Sequence, residues 1–568
     1  MGSMRAKSLF APAILTATAL FIFSSSALCA DAPAQRPLLN ASEIHDELKP
    51  ALGADPAIQR NFLSFLDYQD LVMFHPKFGY YSSGRVSFET DYQTYPIALA
   101  PYFGQMITEQ IFHMWQGMRR AGTLGPSDRF TIAEFGAGNG LLAESILDYL
   151  GRKAREEGAD SRWRDFASQV LYVCYDRSPA LSKAQRTRNA RFGDRFEARQ
   201  ADATDATAAI PLGSLKGVVL SNELPDAFSV HKVILSADGS AEVAFVAPSL
   251  SRGNWAKLEK ILPADVTEAV VQGDRDVRKA LLTSSKDQTY LSRAAFAALL
   301  AALVSSKEYE PLVQSLQFHE LYLPASMVPE LEGHLRLYAR PYAQELAKHD
   351  RGVLTYINLG AEKFIQGAGR ILKAGYVVTL DYGSNWEGLL GQNTYPHLRT
   401  FGPAHQEENA NAGYGWDDGQ ATAEWDTTDP YRGPTLNDMT TDVNFSLLEA
   451  EGGLAGLRTV YYGPQSALRS GTPISLGSAL QHGQGSDEQE DGFYDWASNF
   501  ETDGHYKLMV QQKEGTDSSY SYPQKNQEPL ASDQRFWSER QRRRAAEIEK
   551  RLSAAPEPVQ PSGQSTLW

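Results

Sequence analysis

The chain has 568 residues, 42% of them hydrophobic and 11% aromatic, which is enough to bury a sizeable core. Its net charge of -15 argues against binding a phosphate backbone, a task that concentrates Lys and Arg. Only two cysteines occur, Cys29 and Cys174, so no disulfide framework and no cysteine-rich metal site is expected.

Residues 1–30 contain no Asp or Glu, carry Arg5 and Lys7, and run through LFAPAILTATALFIF to small residues near Ala30. That is the pattern of an export signal, and its apolar run is short for a membrane span. The expectation is a periplasmic or secreted protein that meets a membrane only through this segment. Routing to a mitochondrion or another organelle is the alternative. Residues 31–120 read as an N-terminal helical extension. Within it 58–75 look helical, HPKFGYYSSG is an aromatic-rich loop, and IALAPYFGQMITEQIFHMWQGM (97–118) has helical spacing of apolar residues.

Short apolar runs then alternate with helical segments: TIAEFG, a helix to about 156, VLYVCYD, a helix over SPALSKAQRTRNA, RFEARQAD and KGVVLSNE. Over 121–250 this predicts an α/β fold, a Rossmann-like doubly wound parallel sheet with helices on its faces. VHKVILSADGSAEVAFVAP (230–248) reads as a hairpin turning at Asp238-Gly239. A large, mostly helical insertion is expected over 251–350, and the alternation resumes in 351–513 with a helix near 360–373 and the strand YVVTLDYG. An acidic insert at 402–431 and SDEQEDGFYDW further on read as solvated loops. Residues 514–568 read as a C-terminal helix and a disordered tail.

The chemistry sits at the expected strand ends. In TIAEFGAGNG, Gly136, Gly138 and Gly140 are spaced G-x-G-x-G, two residues after Glu134. A pyrophosphate-binding turn has G-x-G-x-x-G instead, which disfavours an NAD-dependent oxidoreductase. The stretch instead resembles the E/D-x-G-x-G-x-G loop of class I methyltransferases, a resemblance that implies bare main chain passing close to the amino-acid part of S-adenosylmethionine, with Glu134 available to its ammonium. Asp176, ending VLYVCYD, is placed to accept both ribose hydroxyls. Asp202, closing RFEARQAD, is placed for the adenine amino group or simply caps the following turn. Beyond the strand GVVL come Asn222, Glu223 and Asp226. Two carboxylates three residues apart can hold a guanidinium by bidentate bonds and take its proton as a new bond forms, or they can serve as a helix cap and first-turn charge. His231 is a candidate helper or a structural strand residue.

These segments resemble the MidA-like methyltransferases, a class I family that includes the mitochondrial complex I assembly factor acting on an arginine. The similarity runs from about 61 to 513, with interruptions. It is carried by HPKFGYYS, TDYQTYP, PYFGQMI, the loop from Glu134 to Leu142, YDRSPALSKAQ, SNELPDAFSVH, LKAGYVVTLDYG, HLRTF, LNDMTTDVNFSLL and HYKLMVQQK. Thr90 stands where the family has glycine, Tyr356 stands where an acidic residue is expected, and the regions 251–350 and 402–431 exceed the family's needs. The resemblance implies S-adenosylmethionine as cofactor and methylation of a protein arginine, on a respiratory complex I subunit or a related assembly client. The contrasting expectation, given the signal and the insertions, is an exported assembly or interaction protein that keeps the fold without turnover.

Overall fold

The computed structural model describes residues 38–39, 62–516 and 528, apart from 85, 87–93, 157–160, 237–239, 263, 281–285, 307–308, 349–351, 392–396, 402–428, 475–496, 498–499 and 501–503. The export signal, the Asp238-Gly239 turn, nearly all of the acidic insert and the C-terminal helix and tail lie outside the described residues.

Seven strands make the main path of the central sheet: β1 (Phe130–Phe135), β2 (Val170–Asp176), β3 (Phe196–Gln200), β4 (Leu215–Asn222), β5 (Leu372–Ser384), β6 (Leu457–Pro464) and β7 (Tyr506–Lys513), and the short strand Val443–Asn444 pairs parallel with the end of β5. Their order is β3-β2-β1-β4-β5-β7-β6. All neighbours are parallel except β7, which runs antiparallel to both β5 and β6. The middle strands are nearly continuous apolar runs because helices cover both faces. One face packs under Tyr102–Arg120, Leu141–Arg155 and Ser161–Gln169 through residues such as Ile111, Ile146 and Phe166. The other packs under Leu359–Ile371 and Phe445–Leu454 through Phe364 and Leu448.

The winding direction reverses between β1 and β4, and their register sets Phe135 beside Ser221. The loops that follow, starting at Gly136 and Glu223, therefore leave the sheet side by side at the switch point where open α/β sheets bind ligands.

The insertion differs from the sequence expectation in organisation. Most of the helices expected over 251–350 are present, but they stand on a second sheet that spans 231–357. His231–Leu235, Ala241–Ser251, Gln317–Pro324 and Val353–Ile357 are antiparallel neighbours, with Gln288–Tyr290 also against Ala241–Ser251. The pairing of Gln317–Pro324 with Ala241–Ser251 joins segments far apart in sequence, so no local signal announces it. Tyr356 lies opposite Lys232 in this sheet, beside the buried Lys232–Glu320 ion pair (2.7 Å). The extension joins the same unit. Its helix starts at Phe65 rather than 58, capped by Ser64 Oγ, which accepts from the Asp67 amide at 3.0 Å, while Leu63–Ser64 pairs with Ala241–Ser251. Among the described residues no helix is long and apolar enough to cross a membrane.

Candidate active site

A cavity of about 1090 Å³ opens at the carboxyl ends of β1, β2 and β4. The extension contributes Asp70, Phe74 and Tyr81 to its wall, the insertion contributes Glu330, and β7 with the residue before it contributes Tyr506 and His505.

Gly136, Gly138 and Gly140 all take positive φ, at 70°, 50° and 81°. This left-handed backbone strains any residue with a Cβ. At Gly136 a Cβ would also lie 2.7 Å from Leu224 Cδ1, so the loop after β1 and the loop after β4 touch at this point. Gly136 and Gly138 line the cavity. Gly140, expected at the cofactor, is not in the wall. It is the N-cap of the helix Leu141–Arg155, and a Cβ there would meet Asn189 Nδ2 at 2.8 Å, so close helix packing adds to the left-handed backbone in demanding glycine.

Glu134 is buried in the wall, where its Oε2 accepts from the Tyr172 hydroxyl at 2.7 Å and from the Cys174 thiol at 3.7 Å. Burial outweighs these bonds and pushes its carboxyl up to about 7. Asp176 is buried too; its Oδ1 accepts from the Ser178 amide at 2.8 Å and its Oδ2 from Gln185 at 3.3 Å. Its carboxyl is likewise raised to about 7 by burial. Gln185 also donates to the Gly138 carbonyl at 2.9 Å, so one amide joins Asp176 to the glycine loop. Asp202 lines the cavity while its Oδ1 accepts from the Thr204 amide (2.8 Å) and hydroxyl (2.7 Å). The cap reading therefore holds for that oxygen. Oδ2 faces Arg177 Nε at 3.8 Å.

On the other side, Asn222, Glu223 and Asp226 all line the cavity. Asn222 Nδ2 donates to Glu223 Oε1 at 3.0 Å. Glu223 has φ +49°, one of two positive values among the described non-glycine residues. Asp226 is buried with no hydrogen-bond partner for Oδ1, and burial followed by the charge of Asp438 pushes its carboxyl up to about 8. His231 is buried in the second sheet, away from the cavity wall, and burial pushes it down to about 4. It packs as a strand residue.

Sequence reasoning quoted the segments of a further cluster without assigning them to the site. Arg399 and Asp438 line the same cavity. Arg399 donates to Asp442 at 2.8 Å and lies 5.0 Å from the Tyr382 ring centroid. Burial would raise Asp442, but hydrogen bonds with His397 and His505 and the Arg399 charge prevail and hold it well below the usual carboxylate range. Tyr81, from the aromatic loop, donates to Asp438 at 2.8 Å.

The lining residues include eight Asp or Glu against three Lys or Arg, and each of those three is paired with an acid: Arg177 with Asp70, Lys363 with Glu330, Arg399 with Asp442. Such a wall favours cationic ligands. The donor set fits S-adenosylmethionine: Glu134 for the ammonium, the open main chain at Gly136 and Gly138 for the amino-acid part, Asp176 for the ribose.

A sheet of this order, with a glycine loop after β1, acids closing β2 and β3, and an acidic loop after β4, defines a class I S-adenosylmethionine-dependent methyltransferase. Residues 106–463 match the family described as "Putative S-adenosyl-L-methionine-dependent methyltransferase", and the chain belongs to this MidA-like family. Its cofactor is S-adenosylmethionine. Among solved structures, the chain is similar to a COG1565 superfamily protein from Burkholderia thailandensis crystallised with S-adenosyl-homocysteine. The two share 18% identity and a TM-score of 0.50, over 87% of this chain and 99% of that one. A native structure of a COG1565 superfamily protein from the same organism gives 19% identity and a TM-score of 0.49 over the same shares. No curated protein matches.

Proposed function

We propose that the protein transfers a methyl group to a guanidinium nitrogen of an arginine in a partner protein. The observation that carries this reading is the buried, partnerless Oδ1 of Asp226 in a wall it shares with Glu223. When bound, S-adenosylmethionine supplies an electrophilic methyl carbon. Contact of Leu224 with the glycine loop keeps the acids of the β4 loop next to the amino-acid end of the cofactor site. Glu223 and Asp226 then hold the guanidinium and orient one nitrogen. As the nitrogen–carbon bond forms, the carbon–sulfur electrons pass to sulfur, and a carboxylate takes the proton leaving nitrogen. Eight acids in the wall suit a cationic acceptor. The resemblance extends the reading to a client in respiratory complex I assembly.

The test uses Glu223→Gln, with cofactor binding followed by calorimetry and methyl transfer followed with labelled cofactor and arginine-containing peptides. The variant is expected to bind cofactor as wild type does and to lose transfer by about a hundredfold. Undiminished transfer refutes the assignment. Wild-type protein that takes up no cofactor refutes catalysis and favours the non-catalytic assembly role.

A further inference from the structure

We propose that Asp381, which lies behind the cavity wall, is the positioning residue of the acceptor site: it grips the loop after β4 by its main chain and so aims Glu223 and Asp226 at the acceptor nitrogen. The inference rests on the guanidinium reading above.

Asp381 sits near the carboxyl end of β5, one residue past the Leu380–Asn222 register pair, and is fully buried. Its Oδ2 accepts from the Asp226 amide at 3.2 Å and its Oδ1 from the Tyr382 amide at 2.8 Å. The preceding carbonyl, Leu380 O, accepts from the Glu223 amide at 2.8 Å. Two consecutive residues of one strand thus hold the amides of both acceptor acids. The loop needs such a grip, because Glu223 takes left-handed backbone at φ +49°, a conformation that persists only where its surroundings impose it.

The choice of an acid at Asp381 is informative. A buried carboxyl is costly, and here the acids Asp226 and Glu223 both act on it. Asp438, Arg399 and Asp442 act in turn on Asp226. Burial first, then the charges of Asp226 and Glu223, lift the Asp381 carboxyl well above its ordinary value. An amide in its place has one acceptor atom and turns an NH₂ group toward one of the two main-chain donors.

The experiment compares full-length wild type, Asp381→Asn and Asp381→Ser, the last keeping one acceptor in a smaller side chain in case the first fails to fold. Calorimetry with S-adenosyl-homocysteine reports the cofactor side and is expected to be unchanged. Hydrogen exchange of a peptide covering 222–228 is expected to quicken about tenfold or more, and affinity for N-acetyl-arginine amide in the presence of S-adenosyl-homocysteine to fall about tenfold. Wild-type exchange rates in a folded variant overturn the positioning role. If wild type does not bind N-acetyl-arginine amide, the guanidinium reading fails, and the exchange data still decide whether Asp381 holds the loop.

Discussion

Replacing Glu134 by Gln tests the electrostatics of the cofactor site before any ligand is added. Glutamine keeps an oxygen for the Tyr172 hydroxyl and removes only the titration. In the folded protein the Glu134 carboxyl is raised from 4.5 to about 7, burial being the main cause. A carboxyl that holds its proton more tightly folded than unfolded stabilises the fold fully below its unfolded value. It loses that contribution as pH rises through its folded value. The difference amounts to about 3 kcal/mol for this one group. Urea unfolding of cofactor-free wild type and Glu134→Gln, from pH 4.5 to pH 8, should therefore show the wild type losing its advantage by about 3 kcal/mol relative to the variant. Saturating S-adenosylmethionine should reverse the trend, because its ammonium favours the ionised acid: the stabilisation by cofactor in wild type should grow with pH. Stability curves that run parallel across this range would refute both the burial of the charge and its assignment to the ammonium.

Further expectations concern the same wall. On the proposed ribose assignment, Asp176→Ala should weaken cofactor binding at least tenfold by titration, and it should also cost about 1–2 kcal/mol of stability because the Ser178 amide and Gln185 lose their acceptor. Gly136→Ala forces left-handed backbone on a residue with a Cβ and presses on Leu224. It should cost about 1–2 kcal/mol in thermal unfolding and also reduce cofactor affinity. Asp202→Ala should lower stability by about 1 kcal/mol through loss of its cap to Thr204, whereas Asp202→Asn, which still caps, should not. If residues 1–30 are removed on export or import, the intact mass of protein recovered from its native compartment will begin near Asp31.

The parts of the site that were legible in the sequence are those written locally. A strand ending in a glycine run, or in a single acid before a helix cap, declares itself within ten residues, and Glu134, Gly136, Asp176 and Glu223 all stand in the cavity wall. Gly140 has the same local signature, yet it faces Asn189 and Gln185 on another helix, which add to its left-handed backbone in demanding glycine and keep it out of the wall. The second sheet was hidden for a related reason. QFHELYLP sits among helices, and its strand character depends on a partner that precedes it by a long helical stretch. Arg399, Asp438 and Asp442 belong to segments quoted for their resemblance, but their shared role arises only when β4, β5 and the strands Leu398–Phe401 and Asp438–Thr441 converge on Asp226. Asp381 is invisible as a site residue for the opposite reason: its work is done through main-chain amides, which carry no side-chain code.

The position of β7 has a consequence for synthesis. This strand, among the last described elements of the chain, fits between β5 and β6, and His505 and Tyr506 at its start complete the cavity begun by Leu66. Until the ribosome has released it, β5 presents a bare edge and the pocket lacks one side. A truncated or slowly translated chain therefore exposes a sticky strand rather than a weakened enzyme, and ligand can rescue only molecules made to the end.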